Sequence, residues 1–187
     1  RVVINTPALS ASQPAEQLAA SSANALGHAI TALTSTRSSP IARAVALEAT
    51  SRIRDAWATD QPDRHELALG ALLAGWAVDR SGLGPHHALS QTAVRIGNLA
   101  HADVNAALLP HTIRATRDRA PDTIDVTLVT LAENLRDRAG VTALGPFADN
   151  NELLDRAVQI ASRRSELQRI PPALTAPEIR EIYLAAR

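Results

Sequence analysis

The chain has 187 residues, sets 19 basic against 19 acidic side chains, and is 45% hydrophobic with only 2% aromatics. That length sustains one good hydrophobic core, and with so few aromatics the core must be built from Ala, Leu, Val and Ile, which suits closely packed helices. The neutral balance and the lack of a basic block speak against nucleic acid or an anionic membrane as the main partner, and the absence of Cys removes disulfides and thiolate chemistry.

No apolar run approaches the roughly 18 residues of a membrane span and no signal peptide is visible, so a soluble, cytoplasmic protein is expected. The chain opens on Arg1 and contains no Met, which implies a piece of a longer product. Its basic residues are all Arg, so it holds no catalytic lysine.

The opening "RVVINTPALSASQP" passes from β-branched residues into a Pro- and Ser-rich turn. Residues 1–13 therefore read as a strand-like leader, best placed as the closing strand of a preceding domain, and residues 14–187 as a helical domain. From Pro14, Leu18, Ser22, Ala25, Ala29, Ala32 and Leu33 follow helical spacing up to "TSTRSSP". Ser39 as N-cap and Pro40 at the first position open a second helix to about residue 58. A third covers about 65–79, with Trp76, and "RSGLGP" ends it. After Pro110 a helix is expected to about residue 118. The stretch "APDTIDVTLVTLAENLRDRAG" reads as a helix closed by Gly140, and "GPFADNNELLDRAVQIASRRSEL" as one more. Thr175 with Glu178 forms a capping-box pattern before the last. The fold class is an all-α, multi-helix bundle.

The segment "GLGPHHALSQTAVRIGNLAHADVNAALLPH", residues 82–111, holds four of the six histidines. On the first helix Asn24 and His28 stand four residues apart and so share a face. His87 starts a later helix, and the turn at Gly97 allows His101 to fold back toward it, fourteen residues on. Three imidazoles and a side-chain oxygen from facing helices match the way bundles hold divalent metals. They equally match hydrogen-bonded helix histidines, and spacing leaves both open. His65 and His111 read as structural, and Trp57 and Trp76 as core anchors.

Two stretches carry a family resemblance. "TPALSASQPAEQLAASSANALGHAITAL" and the His87-to-His101 spacing followed by "LLPH" together resemble the helical domain of the iron-containing alcohol dehydrogenase superfamily, whose fold is dehydroquinate synthase-like. The similarity is greatest to its maleylacetate reductase branch and extends over essentially the whole chain. The resemblance implies metal-ligand positions at Asn24, His28, His87 and His101. Asn24 departs from the superfamily's Asp: a neutral amide oxygen weakens the hold on a hard cation. The reductase branch shares this Asn and the paired histidines seen here as His86 and His87, and is viewed as working without metal, so iron or zinc is not the favoured cofactor.

The reaction so implied is hydride transfer from NADH or NADPH to an unsaturated oxo-diacid, reducing maleylacetate to 3-oxoadipate in aromatic compound catabolism. On that reading His28, His87 and His101 are the catalytic imidazoles lining the pocket, supplying donors, positive charge and the proton that complements the hydride. Asn24 hydrogen-bonds there and His86 supports or gates it. Two further departures from the branch's pattern bear on substrate binding. Gln91 replaces a histidine, and Arg95 stands to restore charge lost at Ala88.

The chain has no strand–glycine-loop–helix unit for a dinucleotide. The implied partner is therefore an N-terminal α/β domain of the same protein, with the site between the halves. A dicarboxylate or oxo-acid is the expected substrate, and a homodimer is compatible with the resemblance. Two alternatives are a metal-dependent alcohol dehydrogenase of the same superfamily and a stand-alone helical binding domain without redox function.

Overall fold

In the computed structural model, which describes residues 3–141, 144 and 146–187, the chain is a helical bundle. Helix α1 (Ala15–Thr34) lies at its centre and packs against α2 (Pro40–Ala56), α3 (Arg64–Ser81), α4 (Pro85–Gly97), α5 (His101–Arg119) and α6 (Val126–Arg138). A short α7 (Pro146–Asp149), α8 (Asn151–Ala161) and α9 (Ala176–Ala185) complete it. The sequence from 146 to 169 thus divides into α7, α8 and a 3-10 turn (Ser165–Arg169), because Asn150 interrupts the run to cap α8 by accepting from Leu153 N.

Local chemistry sets most boundaries. Ser39 accepts from Ala42 N at the start of α2, with Pro40 following. Asp63 accepts from the amides of His65 and Glu66 ahead of α3, and Asp125 from Thr127 ahead of α6. At the end of α6, Gly140 takes φ +70°. Its amide bonds to Asp137 O and that of Val141 to Arg136 O, a Schellman closure. The Thr175–Glu178 capping box forms as the sequence predicts.

Two expectations are corrected, at Pro110 and at Trp76. Residues 3–6, expected to close the sheet of a preceding domain, meet no strand among the described residues, and Thr6 keeps extended backbone. The leader's Arg1 and Val2 lie outside the described residues. Pro110 does not precede a new helix but lies inside α5, where it is buried. Its missing N–H removes one helical bond, and flanking burial of Leu108, Leu109 and Ile113 keeps the helix continuous. Trp57 anchors the core, its Nε1 donating to Ser22 Oγ at 3.0 Å, but Trp76 is 40% exposed with Arg80 over its ring.

The buried side chains form two clusters. One joins α1, α2, α3 and α6; the other joins α4, α8 and α9 around Phe147 and Tyr183. Helix α5 serves both, giving Ala106, Leu109 and Ile113 to the first and Val104, Ala107 and Leu108 to the second. The histidines lie along this seam, where α1 of one core meets α4 and α5.

Candidate functional site

Helix α1 presents Asn24 and His28 one turn apart, and both are partly exposed. Helix α4 begins with Pro85 at its first position, which places His86 and His87 in the opening turn, both buried. Helix α5 begins with His101, which is exposed.

These elements bring the predicted residues together. The rings of His28 and His87 stack with centroids 4.4 Å apart and planes inclined by 24°. His87 Nε2 lies 3.3 Å from Asn24 Oδ1, so with this amide orientation it donates its proton there, and Nδ1 is left buried without a partner. His86 meets His87 edge-on, with centroids 5.0 Å apart. His101 is close enough to act electrostatically on His28, His86 and His87.

Burial decides the charge of the cluster. It pushes the His28 imidazole down to about 4, with a further contribution from His101. It pushes His86 down to about 3 and holds His87 far below the ordinary histidine range, and neighbouring imidazoles add to both effects. At neutral pH these three rings are uncharged. They offer hydrogen bonds and shape, not the positive charge that the sequence led us to expect of them.

His86 is built into the fold. Its Nδ1 pairs with Thr112 Oγ1 at 2.9 Å and its Nε2 with Asn105 Oδ1 at 3.1 Å. Thr112 and Asn105 are seven residues apart on α5, so the ring spans two turns of that helix. Gly27 of α1 backs it: a Cβ there would come within 2.7 Å of His86 Cδ2. Neither Asn105, Thr112 nor Gly27 was singled out from the sequence. The signal available was His101-x-x-x-Asn105, the same four-residue spacing as Asn24-x-x-x-His28 in reverse.

The remaining candidates sit apart from the stack. Gln91, one turn beyond His87, accepts from Arg164 Nη2 at 2.9 Å, tying α4 to the segment after α8. Arg95 is exposed near the end of α4. His111 faces Arg114 on α5. A groove of about 440 Å³ lies away from the imidazoles, between the leader and α1, α2 and α3, lined by Leu18, Ile53, Arg64, Leu67 and Leu72 among others.

The four family ligand positions do not fit a metal ion in this arrangement. Stacked rings direct their nitrogen lone pairs side by side, not onto one point, and Asn24 Oδ1 is engaged by His87. Among the described residues no three His, Cys, Asp or Glu side chains converge as ligands. Nor is there a strand–loop–helix unit among them to cradle a dinucleotide.

The sequence model described as "Fe-containing alcohol dehydrogenase family, C-terminal" matches residues 18–163. The chain belongs to this family. As a member of it, the chain is 31% identical over 140 residues to 1,3-propanediol dehydrogenase of Klebsiella pneumoniae, covering 72% of this chain and 36% of that protein. It is 27% identical over 199 residues to maleylacetate reductase 1 of Rhodococcus opacus, covering 98% and 55%. Among solved structures it superposes on maleylacetate reductase from Rhizobium sp. strain MTP-10005 with a TM-score of 0.79 at 26% identity, covering 94% of this chain and 53% of that one. The family is thus one of oxidoreductases, and the chain spans between about a third and just over half the length of these relatives. No helix among the described residues is long and apolar enough to cross a membrane.

Proposed function

We propose that this chain is the helical half of an NAD(P)H-dependent oxidoreductase that reduces an unsaturated oxo-diacid such as maleylacetate. The observation that carries the reading is the meeting of Asn24, His28 and His87 where α1 packs on α4, with His101 at the start of α5 close enough to act on the two imidazoles electrostatically. Supporting it are the Asn at position 24 and the paired histidines, which resemble the maleylacetate reductase branch, and likeness to a reductase of that name along 98% of the chain.

A nicotinamide held by a preceding α/β domain would supply the hydride. This chain's residues do the rest. The neutral rings of His28 and His87 form a dry wall against which an unsaturated, planar substrate lies. Asn24 orients His87 by accepting a hydrogen bond from its Nε2–H, which holds the ring in its stack against His28. The substrate carboxylates face the exposed first turn of α5, where Ala100 provides no side-chain cap and the backbone amides favour negative charge. His101, exposed at the rim, exchanges protons with water and relays the one that complements the hydride.

The test is turnover by the protein joined to its α/β domain. NADH oxidation with maleylacetate, unchanged by a chelator and lowered about a hundredfold by His101→Ala, is the expected result. Turnover of 1,3-propanediol but not of the diacid, abolished by chelation, would replace this reading with the metal-dependent alcohol dehydrogenase. That second reading has its own support in the likeness to 1,3-propanediol dehydrogenase.

A further inference from the structure

We infer that Asn105 is a positioning residue that fixes the tautomer of His86 and, through it, the register of the imidazoles carried by α4 and α5. Its side chain is wholly buried and makes two bonds of opposite sense. Nδ2 donates to the backbone oxygen of His101 at 2.7 Å, and Oδ1 faces His86 Nε2 at 3.1 Å.

The chemistry of these groups admits one arrangement. A backbone carbonyl can only accept, so the amide nitrogen of Asn105 must point at His101 and its oxygen at His86. That oxygen can also only accept, so His86 must carry its proton on Nε2. His86 Nδ1 is then a bare acceptor, and the Thr112 hydroxyl, 2.9 Å away, donates to it instead of to Leu108 O or Leu109 O, 3.1 and 3.0 Å away. The result is a one-way chain of hydrogen bonds: Thr112 to His86, His86 to Asn105, Asn105 to the carbonyl of His101.

The chain has a mechanical consequence. Ala100 offers the first turn of α5 no side-chain cap, and Asn105, bonded to His101 O within α5 and to His86 on α4, links that turn to the neighbouring helix. His86, locked at both nitrogens and backed by Gly27, gives the His87 ring its edge-on support, and His87 stacks on His28. One buried amide thereby connects imidazoles drawn from three helices. Its bearing on turnover rests on the proposed oxidoreductase activity; the tautomer does not.

Nitrogen-15 correlation spectra of the imidazoles in the 187-residue chain test this without any assay of activity. His86 in the wild type should show the pure Nε2–H pattern. Asn105→Leu, of similar size but without hydrogen bonds, should give a mixed or Nδ1–H pattern and shift the His87 and His101 resonances. Ile53→Val, a core change on α2 where the side chain packs against Gly70 of α3, should leave all three unchanged. An Nδ1–H or exchanging wild-type ring would overturn the inference even if Asn105→Leu fails to fold. So would an Asn105→Leu variant whose three rings match the wild type. In the joined enzyme, loss of diacid turnover with the tautomer intact counts against the proposed reaction and not against Asn105.

Discussion

The imidazole of His87 stacks on that of His28, 4.4 Å between centroids and inclined by 24°, and its Nε2 donates to the side-chain oxygen of Asn24. Two neutral rings stacked in this way close the space in which a cation would be shared. A carboxylate at position 24 would change the balance by attracting a cation and drawing the rings apart. Asn24→Asp is therefore expected to raise zinc affinity at least tenfold, about 1.4 kcal/mol, in calorimetric titration of the chain. Equal affinities for the two proteins would mean that the amide is not what keeps metal out.

Gly27 leaves the space that the His86 ring fills. Gly27→Ala brings a methyl within 2.7 Å of a side chain held at both ring nitrogens, which cannot swing aside. The overpacking should cost roughly 1–3 kcal/mol, read as a lower midpoint in urea. Alanine at Gly75, where a Cβ would meet nothing within 4 Å, is the control and should be neutral or stabilising, since alanine favours helix.

Stability should fall as pH drops from 7 to 5. The folded-state pKa values of His28, His86 and His87 are depressed, so the folded rings stay neutral while the unfolded chain takes up protons below the ordinary imidazole value of about 6.5. Stability is fully present above that value and is lost as pH falls toward the folded values, about 4 for His28 and about 3 for His86. Each such ring contributes up to roughly 1.4 kcal/mol per pH unit within the window. Urea titrations at pH 7, 6 and 5 should give a steadily decreasing midpoint; a flat profile would mean that the rings take up protons in the fold as readily as in the unfolded chain.

The two tryptophans should respond unequally. Trp57 is buried and donates to Ser22 Oγ, so Trp57→Ala should cost about 3–5 kcal/mol. Trp76→Ala, at a position 40% exposed, should cost about 1 kcal/mol or less, most of it from the lost contact with Arg80. Thermal melts of the two variants distinguish them, and equal losses would place Trp76 in the core after all.

Much of this protein was legible in its sequence. The helical fold followed from an aliphatic, Ala-rich composition with three-to-four spacing, and several helix ends followed from capping side chains such as Ser39, Gly140 and the Thr175–Glu178 box, because these bonds form between near neighbours. The convergence of His28, His87 and His101 was suggested by the turn at Gly97 and by family resemblance. Tertiary packing decided what spacing could not. Pro110, a local helix breaker, is kept inside α5 by burial on both flanks. Residues 3–6, rich in strand-forming side chains, meet no strand among the described residues, and strands require a partner. The adjacent His86 and His87 are indistinguishable as letters, yet one is bonded at both nitrogens and the other keeps Nδ1 free. The charge of the cluster also belongs to the fold. An imidazole's protonation depends on how much water surrounds it, and that is set by residues distant in the chain that close over it.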